Sequence, residues 1–173
     1  MATRNISGII AGNYTLSGVY ASLVIEPAAE IQGQLFGNSQ ADTITNLGGT
    51  VTNGVALTAG GTIANDTTAR ITGYNGSNGV YPSGAGGSGG AGINLAGGGS
   101  IINDGTIGGG SGGDGGDGLK FTFSSGGYGS DQTEIIDGGS GGVGGAGISL
   151  AGGGSIANSG MIVGGNGGYR GAG

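Results

Sequence analysis

Apolar side chains alternate with polar ones over very short stretches, and glycine or another turn-forming residue closes each stretch. Between roughly residues 5 and 80 the chain reads NYTLSG, ASLVIE, AEIQGQLFG, DTITN, GTVTN, VALTA, GTIAN and ARITG. A period of two is the signature of a half-buried strand, and clusters of Gly, Asn, Asp and Ser mark turns. Glycine costs about 1 kcal/mol relative to alanine in a helix interior, so its spacing here argues against helices. The pattern predicts an all-β chain. Its N-terminal part is read as a parallel β-solenoid, in which each rung turns Ile, Val and Leu inward and pairs its backbone with the rungs above and below.

The second half repeats itself. GGAGINLAGGGSIINDGTIGGG begins at Gly89, and GGAGISLAGGGSIANSGMIVGG begins 55 residues later at Gly144. The apolar sites are kept between the two copies: Ile93 and Ile148, Leu95 and Leu150, Ile101 and Ile156, Ile107 and Ile162. A more divergent copy, GVALTAGGTIANDTTARITG, places Val55, Leu57, Ile63 and Ile71 at the same four sites. A flexible linker has no need to hold isoleucine at fixed places, whereas stacked architectures do. The expected organisation is solenoid rungs over 1–80, then a 55-residue glycine-rich repeat over 81–173 whose second copy stops short. A hairpin is inserted over 119–137.

A triplet, [IV]-x-N, recurs at Ile44–Asn46, Val51–Asn53, Ile63–Asn65, Ile101–Asn103 and Ile156–Asn158. Asparagine amides both donate and accept, so stacked copies predict a ladder in which each amide bonds the next. The plainer alternative is that asparagine merely suits the turn after each strand.

Four glycine tracts flank these cores: 84–92, 108–118, 138–147 and 164–173. In the first three, the exceptions to glycine fall every third residue: Ala85, Ser88, Ala91; Ser111, Asp114, Asp117; Ser140, Val143, Ala146. The fourth begins the same way with Asn166 and Tyr169, and Arg170 disturbs it. Three residues per turn is the period of the polyproline II helix. Two bare positions in three would let such helices pack backbone to backbone. The tracts are therefore expected to be polyglycine or polyproline II-like segments, with flexible linkers as the alternative.

Between the second and third tracts, LKFTF and TEII around a glycine-rich turn predict a hairpin. Phe121, Phe123 and Tyr128, with Tyr169 further on, are candidate contact residues, either for assembly or for an outside ligand. The segment GGDGGDGLK matches a calcium-binding nonapeptide pattern and makes Asp114 and Asp117 a weak calcium candidate. Equivalent frames elsewhere carry Ala91 and Ala146 in the ligand position, and calcium needs six or more oxygens. No other cofactor is expected.

Composition narrows the chemistry. There is no histidine and no cysteine, so no ordinary catalytic triad and none of the common zinc or thiol sites can form. Asp131, Glu134 and Asp137 read as a solvated loop rather than a glycosidase pair. Matches to G-x-G-x-x-G are chance in a chain with 51 glycines. No function is assigned to the sequons at Asn5, Asn13, Asn65 and Asn75. A net charge of -6 with four cations leaves no footprint for nucleic acid. No apolar run approaches the ~20 residues of a membrane span. No recognisable signal peptide opens the chain.

The string GVALTAGGTIANDTTARITGYNGSNGVY, followed by GINLAGGGSIINDGTIGGG, resembles the repeat regions of bacterial autotransporter and haemagglutinin-like surface proteins. The likeness covers about residues 40–173. The glycine tracts are similar in composition to polyglycine II bundles of springtail antifreeze proteins and of some phage tail-tip adhesins. The first resemblance implies an extracellular or surface-displayed bacterial β-solenoid used in adhesion or matrix. The expected function is non-enzymatic and structural: head-to-tail self-assembly into a filament or surface matrix, with the chain itself as partner. The unfinished second repeat suits a stacking subunit, and a truncated chain would end in the same way. The alternatives are an adhesin presenting aromatic loops to a glycan or cell surface, and an ice-binding protein suggested by the T-x-T pairs Thr43–Thr45 and Thr50–Thr52.

Overall fold

The computed structural model describes residues 2–123 and 132–173. The chain winds through three parallel sheets, so each circuit is a coil with three faces. The first coil consists of β1 (Ala2–Ile6), β2 (Ile9–Ile10) and β3 (Tyr14–Thr15). The second is β4 (Tyr20–Ile25), β5 (Glu30–Ile31) and β6 (Leu35–Phe36), and the third β7 (Asp42–Asn46), β8 (Thr50–Val51) and β9 (Val55–Leu57). The fourth is β10 (Gly61–Asn65), β11 (Arg70–Thr72) and β12 (Ile93–Leu95). The fifth opens with β13 (Gly99–Asn103) and β14 (Thr106–Gly108). A hairpin, β15 (Leu119–Phe123) against β16 (Gln132–Ile136), interrupts it before β17 (Ile148–Leu150). The sixth contributes β18 (Gly154–Asn158) and β19 (Met161–Val163). Strands of one face pair in coil order, β1-β4-β7-β10-β13-β18 on the first, and among the described residues there is no helix. The fold is an all-β parallel solenoid, as the period of two predicts.

Stacking in register builds the core. On the first face Leu23, Ile44, Ile63 and Ile101 lie one above the other, and all are fully buried. Ile31, Val51, Ile71 and Ile107 form the second column. Leu35, Val55 and Ile93 form the third. Each such side chain contributes about 1.5–3 kcal/mol on burial. The column ends in the sixth coil, where Ile156 is 45% exposed although its partner Ile101 is 1% exposed.

Outward positions differ from face to face. Thr43 and Thr45 lie on β7 and Thr50 lies on β8, which belong to different sheets. The two T-x-T pairs therefore do not share a surface.

Coil length varies without loss of register. Asn46 and Asn65 are 19 residues apart, Asn65 and Asn103 are 38, and Asn103 and Asn158 are 55. The added residues leave the solenoid between its second and third faces, after β11 and after β14, and return before β12 and β17. The sheets pair coil on coil across the excursion that contains residue 80, so the strands of the glycine-rich half continue the same stack and carry a lateral lobe.

Candidate functional site

The lobe is built from five glycine-rich segments. Segments 73–79, 109–118 and 164–173 lead out from the solenoid, and 84–92 and 138–147 lead back. Outgoing segments bond one another in parallel. Gly73, Gly76 and Gly79 donate their N–H groups to the carbonyls of Gly108, Ser111 and Asp114, and Gly109, Gly112 and Gly115 donate to Val163, Asn166 and Tyr169. Returning segments do the same, with Gly86, Gly89 and Gly92 donating to Ser140, Val143 and Ala146. The two layers bond antiparallel across the middle, Gly110 to Gly90, Gly113 to Gly87 and Gly116 to Gly84. Every bond recurs at a spacing of three, so the first glycine of each triplet serves its own layer and the second serves the other.

This geometry explains the triplet rhythm. A Cβ placed on Gly142 would lie 1.9 Å from the carbonyl oxygen of Gly87, and one on Gly112 would lie 2.1 Å from that of Gly142. No side chain fits between segments that close. The third position of each triplet faces outward, where any residue is tolerated. On the outgoing face those residues are largely polar and their side chains continue the bonding. Asn75 and Asn78 accept from the N–H of Ser111 and Asp114, and Asp114 and Asp117 accept from the N–H of Tyr169 and Ala172. The returning face carries Ala85, Ser88, Ala91, Ser140, Val143 and Ala146, with no charge.

Asp114 and Asp117, the calcium candidates, thus hold main-chain N–H groups one coil further on, at 2.8 and 3.0 Å. Among the described residues no cluster of three or more His, Cys, Asp or Glu side chains has metal-binding geometry. An open surface hollow lies beside the first face, bounded by Leu47, Asp66, Ile102 and Asp104. Its two carboxylates already have partners: the N–H of Thr67 for Asp66 and the hydroxyl of Ser159 for Asp104.

Exposed aromatics are spread along the lobe, with Tyr74 near its base. Tyr81 sits in the turn between the first outgoing and returning segments. The hairpin of β15 and β16 rises between the next pair, with Phe121 and Phe123 stacked at 6.2 Å between ring centroids. Tyr169 is 82% exposed in the last segment. Tyr128, the remaining contact candidate, lies outside the described residues. Val80 and Tyr81 escaped the sequence reading, although a Val-Tyr-Pro run between two glycine tracts marks a turn that must project. Arg170 lies beside Tyr169 and approaches Asp137 at 3.6 Å, both side chains largely exposed.

Within the solenoid the asparagine ladder is present. The side-chain amide of Asn46 donates to Asn65 at 3.1 Å, Asn65 to Asn103 at 2.8 Å and Asn103 to Asn158 at 2.7 Å. Each also donates to a turn carbonyl of its own coil: Gly49, Ala69, Gly105 and Gly160. Asn53 takes no part in this column, because it follows β8 on a different face. Asp42, at the start of β7, is 1% exposed and one of its oxygens has no partner. Burial raises its pKa above the ordinary carboxylate value, and hydrogen bonds from Asn38 offset part of that rise.

No family model, no curated protein and no solved structure matches the chain.

Proposed function

We propose that the protein is a non-enzymatic extracellular structural protein whose coils stack head-to-tail, copy on copy, into a filament or surface matrix. The observation that supports this most is the in-register column. Leu23, Ile44, Ile63 and Ile101 are each covered by the next coil, while Ile156 repeats their pattern with its surface open. Met161 and Val163 beside it are 51% and 43% exposed. Parallel strand edges with an apolar inner row template further pairing. The test is electron microscopy and light scattering of the purified chain. Regular fibres at micromolar concentration, lost in Ile156→Lys, support the reading, and a monomer at all concentrations sinks it.

A second reading rests on the exposed aromatics of the lobe. Tyr81, Phe121, Phe123 and Tyr169 are exposed, Phe121 and Phe123 stacked on each other, and an adhesin would present such aromatic faces to a glycan or cell surface. Saturable binding to a glycan panel that is lost in Phe121→Ala with Phe123→Ala favours it. Fibres without such binding favour the first.

A further inference from the structure

We propose that Arg170 keeps a second copy of this chain from docking along the edge of the lobe formed by segment 164–173. The inference goes beyond head-to-tail stacking and does not depend on it. In segments 73–79 and 109–118 the first glycine of each outgoing triplet lies against a returning segment. At Gly73, Gly76 and Gly79 a Cβ would meet the carbonyl oxygens of Gly90, Gly87 and Gly84 at 2.0–2.1 Å. At Gly109, Gly112 and Gly115 it would meet those of Gly145, Gly142 and Gly139 at the same range. These positions are where a returning segment lies against an outgoing one, and glycine is the residue that allows it.

Arg170 occupies this position in segment 164–173, as Gly115 does in 109–118. Its neighbours of the same class, Gly164, Gly167 and Gly173, have open surroundings, the nearest atoms for a Cβ lying at 3.5–3.6 Å. Among the described residues their N–H groups have no backbone acceptor. Towards a returning segment the edge therefore offers two bare glycines at 164 and 167 and the carbonyls of Gly165 and Gly168, equivalents of the Gly110 and Gly113 carbonyls that accept from 138–147, and these match a glycine-rich segment of another copy. A segment laid there as 138–147 is laid on 109–118 would run into the Cβ of Arg170. The arginine side chain turns back instead, its Nε donating to the Gly138 carbonyl at 3.5 Å and its guanidinium facing Asp137. A charged residue on an open edge is a common device against edge-to-edge association.

Sedimentation velocity on the 173-residue chain tests this with Arg170→Gly and Arg170→Ala. The glycine variant is expected to self-associate at least tenfold more tightly than the unmodified chain. The alanine variant, which loses the charge and keeps the Cβ, is expected to match the unmodified chain. Repeating the series in an Ile156→Lys background separates lobe contact from coil stacking. Equal association of the alanine and glycine variants overturns the proposal. So does a glycine variant no tighter than the parent, or one whose gain vanishes in the Ile156→Lys background.

Discussion

The side-chain amide of Asn65 donates to the side-chain oxygen of Asn103, 38 residues away in sequence, at 2.8 Å and out of contact with solvent. The same amide also reaches the Ala69 carbonyl of its own coil. One residue type therefore ties each coil to the next and closes the turn within it.

Replacing Asn103 with Leu should be more damaging than removing one ordinary hydrogen bond. It removes the buried acceptor of the Asn65 amide, which keeps only its long contacts to the Ala69 and Thr106 carbonyls, it removes the donor to Asn158, and it frees the turn at Gly105. A buried polar group left without a partner costs about 1–3 kcal/mol. Chemical denaturation of Asn103→Leu should show a loss in that range or above, and an unchanged midpoint would remove the ladder from the list of stabilising features.

The lobe makes a positional prediction. Gly144→Val should disrupt it, because a Cβ there would lie 2.0 Å from the Gly165 carbonyl oxygen. Val143→Ala, one residue away, should be nearly neutral, since Val143 is 68% exposed. Limited proteolysis of the two variants reads the contrast, with rapid cleavage in the glycine segments expected for the first alone.

Truncation of the inner column should be costly in proportion to burial. Ile63→Ala empties a site covered by Ile44 and Ile101 and should lose about 2–5 kcal/mol. Ile9, at 65% exposure, should lose far less on the same change. Equal losses from the two in urea titrations would contradict the burial described here.

Asp42 gives a pH dependence of definite sign. Its folded pKa is raised by burial, so its contribution favours folding below the unfolded value of 3.8 and is lost as pH rises through the folded pKa. Asp42→Asn keeps an oxygen for the Asn38 N–H and cannot ionise. Urea midpoints of that variant should fall less with rising pH, from about pH 4 upward, than those of the parent. Parallel profiles would show that Asp42 does not titrate in this way.

Much of the solenoid can be read from the chain. Strand period, the four recurring apolar sites and the [IV]-x-N triplet lead directly to inward columns and to the ladder through Asn46, Asn65, Asn103 and Asn158. The route of the chain is harder to read. Ile63 stacks on Ile101, and Ile101 on Ile156, across separations of 38 and 55 residues. Nothing local distinguishes an excursion from a separate domain. The division near residue 80 reflects a change of composition and not a break in the sheets. Val51–Asn53 shares the triplet yet lies on another face, because the motif records strand-then-turn and not which sheet the strand joins. The partners of Asp114 and Asp117 depend on that same stacking, one coil away, and a local motif points to a metal instead.

The join between the second and third faces has passed, from one circuit to the next, from a tight bend to a long excursion while both flanking strands keep their partners. It is an insertion port: foreign sequence spliced there should be displayed outward without disturbing the columns on either side. That makes the corner after β8, still a tight bend, the natural graft site for an epitope or an enzyme on this scaffold.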